Sequence, residues 1–286
     1  MTWKSKRGGG EAAVEADLRS EHGFVGPDMA FAREVLRAAG EGRFHLDYQP
    51  LFSVRDETPI GVEALLRLDT DSGRAAPGRF LPVLEASEMI GSVGEWVLTT
   101  AARELVGWTT SGAAPLLAVN VAAGQLEPGF AEVVLGALEA AGLPANRLCL
   151  ELTHPARISD PVTAWAELRN LKYCGVRLFI DDFGTAGASI VDLKRFIIDA
   201  VKVDSSFVHG LGVNEDDDAI VGALIGLAHS LGMQAVAEGV ETQEQYTRLR
   251  ELGCDLAQGF LLGSPAPASV VQAQFSVADP VAPISD

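Results

Sequence analysis

Short apolar segments alternate with helical patterns along most of the chain, and this alternation limits the fold more than any other feature. The candidate strands span 44–54, 61–68, 116–122, 147–154, 176–182, 200–206, 233–239 and 256–262. The candidate helices span 28–40, 78–111, 129–142, 161–175, 216–232 and 242–253. Strands that alternate with helices predict an α/β fold with a mostly parallel sheet.

Eight strands with interleaved helices favour a modified TIM-like (β/α)8 barrel. The link between the first two strands, RDETPI, is short and turn-like, so we expect these two strands to pair antiparallel. An open doubly wound sheet is the alternative, and it is weakened because no glycine-rich phosphate loop opens a helix. The expected organisation is a poorly ordered leader at 1–27, a barrel domain at 28–275 and a flexible tail at 276–286.

The charge balance narrows the classes of partner. The chain has 39 acidic and 22 basic residues and a formal net charge of −17. Binding to a nucleic-acid duplex needs clustered lysine and arginine, so it is not expected. A small anionic ligand is still compatible, because bound metal ions can reverse the local field.

Membrane and export signals are not expected either. The most apolar stretch, 220–237, is interrupted by His229, Ser230, Gly232 and Gln234, which is typical of a buried helix followed by a strand. The first 20 residues lack the apolar segment of a signal peptide, so a cytoplasmic protein is expected.

Nearly every predicted strand carries polar residues within it or at its carboxyl end. They are Glu63, Asn120, Glu151, Asp181, Asp182, Lys202, Glu238 and Gln258. In a barrel of this type the carboxyl ends of the parallel strands meet at one mouth, where active sites form. We therefore expect these side chains to lie together.

The types of residue in this set predict metal-dependent chemistry. Five carboxylates with one lysine cannot all lose their water without compensating cations. Hard oxygen ligands suit Mg²⁺ or Mn²⁺, and Asn120 can supply a neutral oxygen. The adjacent Asp181 and Asp182 can bridge two ions, the arrangement used for attack on phosphodiesters. Lys202 can orient or activate a water or offset phosphate charge, so the pattern predicts two-metal phosphoester hydrolysis.

Eight motifs in a fixed order point to a known family. They are YQPLF, GVEALLRL, VNVAAGQL, LELT, IDDFGT, VKVDSSFV, AEGVET and QGFLLGSP. Together, over residues 30–270, the chain resembles the EAL-domain family of cyclic di-GMP phosphodiesterases. The resemblance implies a modified TIM barrel with one antiparallel strand, two Mg²⁺ or Mn²⁺ ions and hydrolysis of cyclic di-GMP to linear pGpG.

The resemblance also implies roles for individual residues. One ion would be held by Glu63, Asn120, Glu151 and Asp181, and the second by Asp181, Asp182 and Glu238. Lys202 would hold the attacking water, and Lys202, Glu63 and Glu238 are the predicted catalytic residues. Gln258 and Glu241 would support the site from outside the ligand set. Arg67 would contact the phosphate side of the dinucleotide, and Gln49 would line the same groove.

The sequence departs from the family pattern in one region. The family motif ELTE is here ELTH, with His154 in place of the second glutamate. The family loop DDFGTGYSS is here DDFGTAGAS, which places Ala186, Gly187 and Ala188 at the changed positions. In the family that glutamate pins this loop, and the loop orders the second metal and forms a homodimer contact. The changes add backbone freedom and remove a ring and a hydroxyl.

Two interpretations therefore stay open. The first is an active, metal-dependent phosphodiesterase for cyclic di-GMP in bacterial signalling. The second is a weak or inactive EAL domain that serves as a cyclic di-GMP receptor or a protein-interaction module. The complete set of metal and lysine positions favours the first, and the altered loop favours the second.

Overall fold

The structure is a computed structural model that describes residues 27–108, 115–153, 158–184 and 197–275. Its strands are β1 Phe44–Ser53, β2 Thr58–Thr70, β3 Gly73–Ala75, β4 Leu116–Val121, β5 Leu148–Leu152, β6 Arg177–Phe183, β7 Ala200–Val203, β8 Gln234–Ala237 and β9 Leu256–Ala257. Its helices are α1 Pro27–Gly40, α2 Pro77–Ala86, α3 Ile90–Val106, α4 Phe130–Ala141, α5 Pro161–Tyr173, α6 Ser205–Val208, α7 Glu215–Ser230, α8 Gln243–Glu251 and α9 Ala268–Phe275.

The strands form one sheet that closes on itself. The neighbours run in the order β1, β9, β8, β7, β6, β5, β4, β2, β3, and β1 also pairs with β2. Each adjacent pair from β2 through β4 to β9 is parallel, whereas β1 is antiparallel to β9. The predicted (β/α)8-like barrel with one antiparallel barrel strand is therefore confirmed, and the open sheet is excluded.

Apolar side chains fill the interior of the barrel. Every barrel strand contributes to one buried cluster, which consists of Leu51, Ile60, Leu116, Ala118, Cys149, Phe179, Ala200, Val236 and Leu256. Side chains two residues apart in a strand face the same side of the sheet. In the parallel strands β4 to β9, the residue two positions after a cluster member therefore faces the same interior, one layer nearer the mouth.

Two compact units can be distinguished in the chain. Among the described residues, the first comprises those within 27–47 and 66–97, and the second comprises those within 48–65 and 98–275. Within the first unit Phe44 packs against Phe80 and Trp96, with ring centroids 6.4 and 6.1 Å apart. The second unit contains the apolar cluster and the polar strand residues from Glu63 to Gln258 that the sequence predicts at the mouth.

The structure corrects several predicted elements. The expected helix 78–111 is two helices, α2 and α3, separated at a left-handed Glu88 with φ of 57°. The short strand β3, which forms a hairpin with β2, and helices α6 and α9 were not predicted. The expected leader and tail lie outside the described residues, apart from Pro27, which begins α1. Every helix within the described ranges is too short or too polar to cross a bilayer.

Candidate active site

The polar layer follows directly from the geometry of the strands. Six parallel strands carry a polar residue two positions after a cluster member: Asn120, Glu151, Asp181, Lys202, Glu238 and Gln258. On β2, Glu63 faces the same layer and pairs in register with Ala118. The structure thus brings together side chains that are up to about 200 residues apart in sequence, as Glu63 and Gln258 illustrate with a separation of 195.

Lys202 lies at the centre of this layer. Its side chain is 1% exposed, and its Nζ lies 2.7 Å from Glu151 Oε2 and 2.6 Å from Glu238 Oε1. The same Nζ lies 3.5 Å from Glu63 Oε2 and 3.7 Å from Asp181 Oδ1. One ammonium group is therefore shared by four carboxylates in a nearly dry environment.

This crowding changes the ionisation of the buried groups. Burial acts to lower the pKa of Lys202, but the carboxylates of Glu151, Glu63 and Glu238 outweigh it and hold that pKa well above its usual range. In the protein without metal ions, Lys202 is therefore a cation and a hydrogen-bond donor at neutral pH. Burial, together with the charge of Glu63, raises the pKa of Glu151 well above its usual range. Burial likewise raises the pKa of Glu238 to about 7.

Glu63 is held by donors on both of its oxygens. Asn120 Nδ2 donates to Glu63 Oε1 at 2.6 Å, and Gln258 Nε2 donates to Glu63 Oε2 at 2.8 Å. Burial acts to raise the pKa of Glu63, but Lys202 and these two amides outweigh it and hold that pKa below its usual value. We call Glu63, Asn120, Glu151, Lys202 and Gln258 the inner group.

Asp181, Asp182 and Glu238 form a second cluster, which we call the outer group. One carboxylate oxygen from each lies within 4.8 Å of the others, and all three residues are half-buried. In a regular strand, neighbours such as Asp181 and Asp182 would point to opposite faces. The register of β6 against β7 shifts between Ile180 and Phe183, which places one extra residue on β6.

This bulge explains how both aspartates reach one site. A β-bulge bends the strand and re-aims a side chain. Asp182 adopts the left-handed conformation with φ of 54°, which aspartate and asparagine tolerate better than most residues. Asp181 Oδ1 also accepts a hydrogen bond from the backbone N–H of Asp182 at 2.9 Å, which fixes the turn.

The donor set fits divalent metal ions. The outer group offers three carboxylates at the spacing that one cation requires, and they are the three residues expected to hold the second ion. Of the residues expected to hold the first ion, Glu63, Glu151 and Asp181 converge on Lys202. Asn120 uses its amide nitrogen to donate to Glu63, so its amide oxygen does not take part in that hydrogen bond.

The remaining predicted residues occupy different surroundings. Gln49 Nε2 donates to the carbonyl of Gly263 at 3.1 Å, while its Oε1 accepts from Gln258 at 2.9 Å. Glu241 is exposed, and its backbone N–H donates to Gln245 Oε1 at 2.7 Å, so its backbone helps to cap α8. Its supporting role stays a prediction.

Arg67 lies in the first compact unit, where its partner is a residue that the sequence analysis missed. Arg67 Nε donates to Asp47 Oδ2 at 2.9 Å, and the Asp47 side chain is 7% exposed. Arg74 Nη1 lies 3.6 Å from the same oxygen. Asp47 precedes the YQP motif in a strand of alternating polarity, and nothing in that pattern identifies Arg67 as its partner.

The altered loop lies outside the described residues. His154, Ala186, Gly187 and Ala188 all fall in the gaps at 154–157 and 185–196. The predicted change in loop anchoring, and the homodimer contact that the family forms there, therefore stay predictions.

Comparison with known proteins places the chain in a family. The EAL domain family matches residues 32–265. This chain is 41% identical to "Bifunctional diguanylate cyclase/cyclic di-GMP phosphodiesterase MucR" of Pseudomonas aeruginosa. The match extends over 237 residues, which are 82% of this chain and 35% of that protein. The chain therefore belongs to the EAL domain family and is homologous to cyclic di-GMP phosphodiesterases. It spans 44% of the length of an uncharacterized relative from Mycobacterium tuberculosis.

Solved structures agree with this assignment. The "PaMucR Phosphodiesterase, c-di-GMP complex" superposes with a TM-score of 0.77 at 38% identity, covering 85% of this chain and 99% of that one. A "Klebsiella pneumoniae BlrP1 pH 9.0 manganese/cy-diGMP complex" superposes with a TM-score of 0.67 at 26% identity, covering 78% of this chain and 56% of that one. These neighbours are cyclic di-GMP complexes of the same fold, and one holds manganese.

Proposed function

We propose that this chain hydrolyses cyclic di-GMP to linear pGpG with the help of two Mg²⁺ or Mn²⁺ ions. The observation that carries the proposal is the convergence of Glu63, Glu151, Asp181 and Glu238 on one buried lysine, Lys202, with Asp182 beside them. The similarity to cyclic di-GMP complexes supports the choice of substrate.

The charge of the site supports the number of ions. Five carboxylates against one ammonium leave four negative charges, which two divalent cations would balance. Burial raises the pKa values of Glu151 and Glu238, so the protein without ions disfavours their charged forms, and bound cations would favour those forms. We propose that Glu63, Asn120, Glu151 and Asp181 hold one ion, and Asp181, Asp182 and Glu238 the other.

The bound ions would lower the pKa of water and stabilise charge on the phosphoryl oxygens. The residues of the chain would supply orientation. The neighbouring carboxylates hold the pKa of Lys202 well above its usual range, so we assign it to donating a hydrogen bond to the attacking water, and not to removing its proton. Asn120 and Gln258 fix the carboxylate plane of Glu63 from both sides. Arg67, oriented by Asp47, is proposed to contact a phosphate.

A receptor function is the second candidate. The sequence departures at His154, Ala186, Gly187 and Ala188 favour it, because in the family this region orders the second metal. Such a protein would bind cyclic di-GMP or a partner protein with little or no turnover. No described ligand position of the site is lost, which is why hydrolysis is the primary proposal.

A product analysis tests the two functions against each other. The purified chain is incubated with cyclic di-GMP and Mn²⁺ or Mg²⁺, and the nucleotides are separated by chromatography. We expect pGpG from the parent and none from Glu63→Ala, because that change removes the carboxylate that Asn120 and Gln258 orient. Glu244→Gln, an exposed carboxylate on α8, serves as the matched control and should keep full activity.

The outcomes separate the candidates clearly. Cyclic di-GMP that binds in calorimetry but yields no product at high protein concentration supports the receptor function and overturns the proposed hydrolysis. Product that persists in Glu63→Ala would mean that the reaction does not use this site.

A further inference from the structure

Two side-chain amides, the half-buried Gln49 and the buried Gln258, connect Glu63 to the backbone carbonyl of Gly263. Gln49 Nε2 donates to the carbonyl of Gly263, and Gln49 Oε1 accepts from Gln258 Nε2. Gln258 Nε2 also donates to Glu63 Oε2. The residues are 214, 209 and 195 positions apart at the three successive bonds, so the chain of amides is a product of the fold alone.

The chemistry of the two ends fixes the orientation of every amide between them. The Gly263 carbonyl can only accept a hydrogen bond, so the NH₂ of Gln49 must face it. The Oε1 of Gln49 then faces Gln258 and can only accept. Gln258 must therefore present its NH₂ to both Gln49 and Glu63, which uses both of its donors. A flipped Gln258 would set its oxygen against the Glu63 carboxylate.

The segment that contains Gly263 is held against β1 by backbone hydrogen bonds. Tyr48 N–H donates to the Ala266 carbonyl at 2.7 Å, and Ala266 N–H donates back to Tyr48 at 3.0 Å, which pins the segment after β9 against β1. A Cβ on Gly263 would lie 2.8 Å from Pro50 Cγ, so only glycine allows this close approach. The carbonyl of Gly263 therefore has a fixed position, because the segment after β9 contacts β1 there.

We propose that Gln49 is a positioning residue for the carboxylate site, and that it holds Gln258 in the orientation that donates to Glu63. The family resemblance implies that Gln49 lines the substrate groove, whereas its two hydrogen bonds engage both ends of its amide within the protein. The consequence for metal binding rests on the proposed function, because Glu63 is a proposed ligand. The consequence for the orientation of Gln258 does not.

Gln49→Met tests the proposal, because it keeps the length and volume of the side chain and removes both hydrogen bonds. The first measurement follows exchange of the side-chain amide protons of Gln258 by NMR. We expect exchange in the variant to be about fivefold faster than in the parent, the ratio that one net hydrogen bond of typical strength gives. Gln243→Met, at an exposed glutamine, is the matched control and should leave the Gln258 signals unchanged.

The second measurement is Mn²⁺ affinity without substrate, by calorimetry. Loss of a direct supporting partner weakens metal binding by about 10–100-fold, so a residue one bond further away should cost about three- to tenfold. We expect kcat to fall and KM for cyclic di-GMP to stay constant. Gly263→Ala, which displaces the anchor from its other end, should give the same pattern with a smaller effect.

The opposite pattern overturns the proposal. If Gln49→Met raises KM while Mn²⁺ affinity and Gln258 exchange keep their parental values, Gln49 contacts substrate and positions nothing. If the parent neither hydrolyses cyclic di-GMP nor binds Mn²⁺, the proposed function fails. Gln258 exchange then decides by itself whether Gln49 is a positioning residue.

Discussion

The inner and outer groups of the site differ in how the protein holds them. In the inner group, Glu63 and Glu151 are buried and engaged by Lys202, Asn120 and Gln258 at 2.6–3.5 Å. In the outer group, Asp181, Asp182 and Glu238 are half-buried and close to one another, and all three are negative when ionised. Glu238 and Asp181 join the two groups through their contacts with Lys202 at 2.6 and 3.7 Å.

This difference indicates which part of the site keeps its geometry in the protein alone and which part needs a bound cation. The inner group contains its own cation and its own amide donors, so it can keep its geometry in the protein alone. The outer group brings three carboxylates within 4.8 Å of one another, and Lys202, which contacts Asp181 and Glu238, is shared with Glu63 and Glu151. A bound cation would reduce the remaining repulsion between these carboxylates. We therefore expect changes in the inner group to alter stability directly, and changes in the outer group to alter stability mainly when metal is present.

The largest expected effect comes from Lys202→Met. The substitution leaves Glu151, which is 2% exposed, without its ammonium partner. Removing one partner of a buried ion pair costs about 3–5 kcal/mol of folding free energy. Denaturant unfolding in the absence of metal measures this loss.

Lys172→Met is the comparison for that experiment. Lys172 pairs with Asp199 at 2.6 Å, but its side chain is 18% exposed and that of Asp199 is 31% exposed. Water can therefore compensate, and the loss should be about 1 kcal/mol. Equal losses in the two variants would contradict a stabilising role for Lys202 in the inner group.

Asp182→Asn should have a smaller effect that depends on metal. Asparagine accepts the left-handed backbone of this position, so the bulge should survive. At a Mn²⁺ concentration of 100 times its dissociation constant, binding stabilises the parent by about 2.7 kcal/mol. We expect most of this stabilisation to disappear in the variant. Without metal the loss should be smaller than the 3–5 kcal/mol of Lys202→Met, about 1 kcal/mol, because asparagine keeps the size of the side chain and an accepting oxygen.

Thermal unfolding with and without Mn²⁺ provides the readout for Asp182→Asn. Glu244→Gln removes an exposed carboxylate of α8 and should retain the full response to metal. A parental response in Asp182→Asn would place metal binding outside the outer group, and a large loss without metal would show that the outer group holds the fold by itself.

The smallest expected effect comes from restoring the family loop. His154→Glu combined with Ala186→Gly, Gly187→Tyr and Ala188→Ser rebuilds the contact that pins this loop in the family. Better support of the outer group should raise Mn²⁺ affinity or turnover by about threefold or more. His154→Glu alone should give less, because its partner residues are missing. No change in either quantity for the combined variant would mean that the loop departure is neutral.

The sequence predicted the barrel and the polar layer because both follow from strand periodicity. Each parallel strand from β4 to β9 places a polar residue two positions after a buried one, as in Phe179 and Asp181 or Ala200 and Lys202, and the barrel brings these polar residues together. The division at Glu88 was missed because a left-handed glutamate gives no signal of the kind that glycine or proline would give. The short elements β3, α6 and α9 were missed because they contain few apolar repeats.

Contacts between distant segments could not be predicted in the same way. The pairs Arg67 with Asp47 and Gln49 with Gly263 depend on which atoms meet after folding, and their residue types are common throughout the chain. The bulge in β6 is an intermediate case. The doubled aspartate indicated two metal ligands, but only the register shift against β7 explains how neighbours in a strand face one site.

The reversed strand β1 has a consequence for how sequences of this kind should be searched. In six parallel strands the residue at the mouth comes two positions after the core residue, as Glu151 follows Cys149. In β1 the order is inverted, and Gln49 comes two positions before Leu51. A search for functional positions must therefore look downstream of the core residue in those strands and upstream of it in β1. Because β1 runs antiparallel to β9, its residue at the mouth precedes its core residue in the sequence.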